Sequence, residues 1–400
     1  MDNKSILIIA PGHNENDNRV NRTILVLSKL FSHVDVIYES RFKVGHKTKE
    51  LTNVKQYYID KTQPLFSIIP KLKVFKKFII KNNLVSNYIY IHDSGIFGLL
   101  IAAMIKKNFY GYRKIILDYH DFIEWEIYYQ LGKINRLGKF NKYIERGLLF
   151  FFILYFKKIK KTVIDGIVGI SVSQIDNFLK RFTNNIQIPY IVIPNTRPKI
   201  EYIFKHQKYK QIFADFLWIG NIVNGRDLKI TIHYLDELIK KFNFKFYVFG
   251  RIYSEELLNF MKKRTYFQYM GEFSNDQELF NFVKDKKIIS LFFGWDDKNE
   301  VGINEVASPN KVYSYLNIGT PMLLNKKINP IAFEKIYKLG CFFKGPKDFE
   351  ENYIDISLNY ERYSFDVFNL REKFVWEDQL TNILSNFTYN LYLNDNYKTL

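Results

Sequence analysis

Ala307-Ser308-Pro309-Asn310-Lys311-Val312-Tyr313-Ser314-Tyr315-Leu316-Asn317-Ile318-Gly319-Thr320-Pro321 lies between two short apolar runs, residues 288–293 and 322–324. The stretch reads as one helix with both ends marked. Ser308 is a good N-cap, and Pro309 falls at the first helical position, where its missing N–H costs nothing. Gly319 suits the left-handed C-terminal position, and Pro321 lies just past the stop. An apolar strand, a capped helix and another apolar strand are the unit of a parallel sheet. Lys311 puts a cation in the first helical turn, where the dipole disfavours one unless an anion sits there as well. The segment is therefore a candidate phosphate cradle. The rival reading is a capped surface helix with an incidental lysine.

The same alternation runs outward along the chain. Strands are expected at 6–10, 34–38, 88–92, 115–119, 166–170 and 190–193, with helices at 22–31, 95–106 and 173–181. After Pro194-Asn195-Thr196-Arg197-Pro198 the chain is polar and basic to about Gln211, which marks a linker. The pattern then restarts with strands at 216–219, 244–249, 267–270 and 288–293, and helices at 228–241, 255–263 and 276–284. Residues 376–392 read as a last helix. Short apolar strands separated by helices argue for parallel sheets covered on both faces. The expected fold is α/β, with two doubly wound, Rossmann-like parallel-sheet domains facing a cleft. The divisions are 1–196, a linker at 197–212, 213–375, and a C-terminal helical segment at 376–400.

Four hundred residues suit two such domains. The chain holds 59 Lys and Arg against 41 Asp and Glu, a net charge of +18. Nucleic acid, anionic lipid or a phosphorylated substrate could each account for that excess. No helix-turn-helix, zinc-finger or RNP-like motif is present, and the basic residues are scattered, so nucleic acid is not expected as a partner. The lone Cys341 excludes an internal disulfide and a cysteine-based zinc site, and points to a reducing, cytoplasmic setting. The apolar run at 6–9 is too short for a secretory signal. The run at 148–156 falls short of the ~20 residues a membrane-spanning helix needs. Lys157, Lys158, Lys160 and Lys161 follow it, so the basic aromatic segment 142–161 is a candidate contact for an anionic membrane surface. Its rival reading is a core helix with a solvated basic end.

Ligands of open α/β sheets bind at the C-terminal ends of the strands, so the residues there carry the chemistry. The strand at 216–219 leads into Gly220-Asn221-Ile222-Val223-Asn224-Gly225-Arg226. Its glycines let the backbone approach a ligand, and Arg226 can fork onto a phosphate. Arg226 with Lys311 matches the charges of a diphosphate; two surface cations is the rival reading. In the first half, two strands end in His92-Asp93 and His120-Asp121. A histidine there can bond a substrate hydroxyl or stabilise charge, or merely cap a helix. The pairs lack any fixed metal-ligand spacing, and no metal is expected. The polar loop Gly12-His13-Asn14 to Arg19 suits an acceptor pocket.

These features together resemble the retaining glycosyltransferases of the GT-B fold, in particular the bacterial family four enzymes of surface polysaccharide and lipopolysaccharide synthesis. The resemblance rests on Asp17-Asn18-Arg19-Val20-x-Arg22, Asp118-Tyr119-His120-Asp121, Asp165 to Ser171, Ile193-Pro194-Asn195, Gly220 to Arg226, Phe249-Gly250, Ser308-Pro309-Asn310-Lys311 and Trp376-Glu377. It implies transfer of a sugar from a nucleotide-sugar donor to a glycan or lipid-linked acceptor, without a metal or other cofactor, at the inner face of the membrane. It implies a catalytic set of His120, Arg226 and Lys311. The donor side would hold Gly220, Asn224, Gly225, Gly250, Glu305, Ser308, Asn310, Tyr313 and Ser314. The acceptor side would hold Gly12, His13, Arg19, His92, Asp93 and Asp121. One departure stands out. Ser314 occupies a position where the family often has a glutamate, and Val306 occupies another, beside Glu305. That departure motivates an alternative, a non-catalytic GT-B-like protein that binds membranes or polysaccharide.

Overall fold

The computed structural model describes residues 4–11, 13, 17–40, 51–60, 68–84, 86–92, 96–109, 113–120, 147, 151, 163–182, 187–193, 197, 200–201, 209–222, 228–293, 310–325, 340–371 and 381–392. The chain divides into two compact units, Met1–Pro194 with Leu380–Leu400, and Asn195–Gln379.

In the first unit the strands are β1 (Ser5–Ala10), β2 (His33–Ser40), β3 (Val54–Asp60), β4 (Tyr88–His92), β5 (Lys114–Tyr119), β6 (Gly166–Gly169) and β7 (Tyr190–Val192). They form one seven-stranded sheet in the order β3-β2-β1-β4-β5-β6-β7. Every pairing is parallel. The helices are α1 (Asn18–Leu30), α2 (Ile68–Lys81), α3 (Ile96–Asn108) and α4 (Val172–Phe182). Alternate residues of β1 explain the two layers. Leu7 and Ile9 pack with α2, α3 and α4 through Phe75, Ile79, Ile101, Ile105, Ile175 and Phe178. Ile6, Ile8 and Ala10 pack on the opposite face with Val20, Ile24 and Leu27 of α1.

The second unit carries β8 (Asp215–Ile219), β9 (Phe246–Phe249), β10 (Phe267–Gly271), β11 (Ile288–Phe292), β12 (Met322–Asn325) and β13 (Gly340–Phe343). Their order is β10-β9-β8-β11-β12-β13, again all parallel. Helices α5 (Leu228–Leu238), α6 (Glu255–Lys262), α7 (Asp276–Val283), α8 (Asn310–Asn317), α9 (Pro346–Leu358) and α10 (Tyr360–Arg371) cover it. The last helix, α11 (Thr381–Tyr392), packs in the first unit against α1 and β7.

The α/β class and both parallel sheets follow the sequence reading. Five described elements do not appear in it: β3, α2, β13, α9 and α10. Helix α1 also starts at Asn18 rather than at residue 22, because the Asp17 side chain accepts from the backbone N–H groups of Arg19 and Val20 and caps it there.

Candidate functional site

Both strand orders reverse at a fork, between β1 and β4 in the first sheet and between β8 and β11 in the second. Such switch points leave a crevice at the strand C-termini. In the first unit the crevice brings together residues far apart in sequence. Asp118, in β5, is 1% exposed. Its Oδ1 accepts from Arg19 Nε at 2.8 Å, with Arg19 Nη2 at 2.7 Å, and its Oδ2 accepts from Tyr90 at 3.1 Å. Arg19 also donates to the carbonyl of Ile193 at 3.0 Å, so one guanidinium ties α1, β5 and the residue after β7. Burial pulls the Asp118 carboxyl upward, but Arg19 and the neighbouring histidines outweigh it and hold it well below the usual range. Burial and the Arg19 charge together lower the Arg22 guanidinium to about 10.

Three histidine rings surround this pair. His13 lies with its ring 5.0 Å from that of His120, and each lies 6.2 Å from His92. His120 Nδ1 donates to the carbonyl of Asp118 at 3.1 Å, and His13 Nδ1 donates to Asp17 Oδ2 at 2.9 Å. A carbonyl and an ionised carboxylate can only accept, so each of these two rings carries a proton on Nδ1 and turns Nε2 away from that bond. Burial opposes ionisation of Asp17, but the His13 hydrogen bond and charge prevail, with help from His120 and the Val20 N–H. His92 has no exposed surface, and its Nδ1 lies 3.3 Å from Asp118 Oδ2. Burial, against the pull of Asp118, lowers its pKa to about 3, so the ring is neutral and packs behind the other two. His92, Asp118 and His120 place ligand-type atoms within 4.8 Å of one another. A cation there would face the Arg19 guanidinium on a carboxylate whose oxygens already accept from Arg19 and Tyr90. The arrangement instead suits holding and orienting a hydroxyl group.

At the fork of the second sheet, β8 and β11 pair as far as Leu217 and Ser290. The Tyr315 hydroxyl spans the gap beyond, accepting from the Ile219 N–H at 3.1 Å and donating to the Leu291 carbonyl at 3.0 Å. This fixes α8 to both strands. Its C-terminus closes as the sequence implies. Gly319 has φ 76°, Thr320 N–H donates to the Tyr315 carbonyl, and Gly319 N–H donates to that of Leu316. In the first turn, Lys311 Nζ lies 3.7 Å above the Trp218 ring and 5.7 Å from that of Phe292. Gly220 and Gly250 follow β8 and β9 with φ 132° and 144°. A Cβ on Gly250 would come within 1.8 Å of the Gly220 carbonyl oxygen, so the close approach of these two turns requires glycine.

The predicted site residues are thus distributed unevenly. His13, Arg19, His92 and His120 converge on Asp118. Lys311, Gly220 and Gly250 lie at strand ends of the second sheet. Tyr313 is buried in the apolar core. Ser314 is fully buried, and its Oγ accepts from Arg197 Nε at 2.8 Å. Asn310 begins α8 as described. Gly12, Asp93, Asp121, Asn224, Gly225, Arg226, Glu305 and Ser308 lie outside the described residues, as does segment 142–161 except for Gly147 and Phe151. Three residues of the network, Asp118, Asp17 and Tyr90, were not predicted as site residues. The signal for Asp118 was available: a carboxylate at the end of the apolar run Ile115-Ile116-Leu117 needs a buried partner.

No protein-family model matches the chain, and no curated protein sequence does. Solved structures do. The lipopolysaccharide outer core galactosyltransferase WaaB, in its apo form, superposes with TM-score 0.60 at 12% identity, over 96% of this chain and 98% of that one. Sucrose-phosphate synthase from Thermosynechococcus elongatus gives 0.62 at 10%, over 97% and 99%. S. aureus MnaA with UDP gives 0.53 at 10%, over 98% and 97%. With its two parallel-sheet Rossmann-like units and these full-length structural matches, the chain has the GT-B fold.

Proposed function

We propose that the chain is a glycosyltransferase that moves a sugar from a nucleotide-sugar donor to a glycan or lipid-linked acceptor, with retention of configuration and without a metal. The setting we infer is surface-polysaccharide or lipopolysaccharide synthesis at the cytoplasmic face of the membrane. The observation that carries the reading is Lys311, a cation in the first turn of a helix locked by Tyr315 into the fork of the second sheet. A diphosphate seated there meets a full charge, the helix N-terminus and the Gly220 turn together. The similarity to WaaB and the UDP in the MnaA structure support it.

In this mechanism the bond from the sugar's anomeric carbon to the donor phosphate breaks while the bond to the acceptor oxygen forms. Lys311 and Arg226 stabilise the negative charge that develops on the leaving diphosphate. The acceptor hydroxyl attacks from the same face, and its proton passes to the departing phosphate oxygen. His120, with Nδ1 held by the Asp118 carbonyl, positions the sugar through Nε2. His13, fixed by Asp17, does the same for the acceptor.

A thermal-shift screen against UDP, GDP, CMP, ADP and TDP tests the donor half, because a ligand that prefers the folded state raises its stability. One nucleotide should raise the melting temperature. Lys311→Ala should abolish that rise and lower turnover by about two to three orders of magnitude. A flat screen, or unchanged turnover in Lys311→Ala, would sink the assignment. The alternative of a non-catalytic relative draws on Ser314, whose hydroxyl is committed to Arg197. It requires membrane or polysaccharide binding with neither transfer nor donor hydrolysis.

A further inference from the structure

Arg197 and Ser314 meet inside the second unit, on the helix that carries Lys311. Ser314 follows Lys311 by three residues in α8, so the two are neighbours on the helix surface, about 4.5 Å apart along its axis. The Ser314 Oγ accepts from Arg197 Nε at 2.8 Å. That bond uses one of the five N–H donors of the guanidinium. Among the described residues the two Nη groups have no hydrogen-bond partner, and the side chain is 25% exposed. Asp276 does not close the fork. Its Oδ2 lies 3.9 Å from Nε, the atom already bonded to Ser314, and accepts from Asn317 at 2.9 Å. It also sits in the first turn of α7, where the helix dipole favours its charge. Arg197 is therefore a cation anchored at Nε, with its two-pronged end open, one turn along α8 from Lys311.

We propose that Arg197 binds a phosphate group of the donor nucleotide, together with Lys311. The inference rests on the donor site described under the proposed function. A guanidinium offers only donors, so its ligand must supply acceptors, and its paired Nη groups match two oxygens of one phosphate. A ligand hydroxyl would engage one prong and leave the charge uncompensated. The pairing also gives a reason for serine at position 314. A glutamate there, within reach of the same guanidinium, would take both prongs itself and neutralise the charge before a ligand arrived. The Ser314 hydroxyl holds Arg197 by Nε and leaves the fork to the ligand. Serine in place of a carboxylate thus changes how the donor is held instead of abolishing the hold.

The test is calorimetric titration of the full chain with UDP, GDP, CMP, ADP and TDP at about 0.05 M and about 0.5 M NaCl. For whichever nucleotide binds, Arg197→Gln should weaken affinity about tenfold or more at the lower salt, as expected for a lost hydrogen bond to a charged group. The factor should shrink at the higher salt, because a partly exposed ion pair is screened. Arg197→Lys, which keeps the charge without the fork, should recover part of the loss. Ser314→Glu should mimic Arg197→Gln with Arg197 still in place. Arg197 is not a core residue, and the melting temperatures of the ligand-free variants check the fold. Unchanged affinity in Arg197→Gln, or a loss of equal size at both salt concentrations, would overturn the role of Arg197. Weakened binding in Lys311→Ala alongside that result would leave the donor site itself standing. Absence of binding by all five nucleotides to the wild type would overturn both.

Discussion

Asp118 and Arg19 form a buried ion pair whose partners depend on each other. Removing one side of such a pair leaves a charge without compensation and destabilises by about 3–5 kcal/mol, whereas removing both is milder. Asp118→Asn should therefore lower the stability of the first unit by about 3 kcal/mol. Arg19→Met in the same background should restore part of the loss, which a double-mutant cycle by urea denaturation would measure. His92 gives a pH signature. Its folded pKa, about 3, lies below the unfolded value of about 6.5, so the unfolded chain binds the extra proton between them. Stability from this group is full above the unfolded value and declines as pH falls, by up to about 1.4 kcal/mol per unit. The Asp118 loss begins lower, as pH falls into the ordinary carboxylate range, and continues down to its depressed folded value. Between pH 6.5 and 4.5 the slope of stability with pH should therefore be shallower in His92→Gln than in the wild type. Equal slopes would show that His92 does not stay neutral in the fold.

Among the elements, α8 shows what the sequence makes visible and what it hides. Its Gly319 stop is legible because a left-handed residue at a helix end has few other occupants. The role of Tyr315 is not, because it depends on β8 and β11 parting at the fork. Tyr315→Phe would leave the Ile219 N–H and the Leu291 carbonyl without their buried partner, a loss of about 1–3 kcal/mol. Calorimetry should show a lower second-unit transition, and a nucleotide that binds the wild type should stabilise the variant less. Helices α9 and α10 escaped the sequence reading for a related reason. Phe349, Tyr353, Ile356 and Tyr360 have core spacing, but the tyrosines lower the apparent hydropathy. The structure shows why tyrosine is tolerated there: Tyr353 donates to the Ala214 carbonyl and Tyr360 to that of Ile288. Edge strand β3 hides behind Lys55 and Gln56, and α2 behind its lysine face. The convergence of His13, His92 and His120 was legible only as separate strand ends, since strand order, not sequence distance, makes β1, β4 and β5 neighbours.

For the whole molecule, α11 links the far end of the chain to the stability of the first unit. Leu384, Phe387 and Leu391 are buried against Ile6, Ile8, Val20 and Ile24. Gly166 leaves room for them, since a Cβ there would come within 2.6 Å of Leu391. Lys114 also donates to the Leu391 carbonyl at 2.8 Å, placing a cation at the helix C-terminus. Each fully buried side chain of this kind contributes about 1.5–3 kcal/mol, so losing the set removes a large part of the ~5–15 kcal/mol that holds a typical domain. The second unit has its own cores on both sheet faces, which among the described residues include none of α11. A chain cut after residue 380 should therefore lose the first unit's cooperative transition and become protease-sensitive within residues 1–194. Its second-unit transition should persist, still raised by whichever nucleotide stabilises the full chain. Gly166→Val, which crowds α11 without deleting it, should act in the same direction to a smaller extent. Joint loss of both transitions in the truncated chain would mean that the two units do not unfold independently.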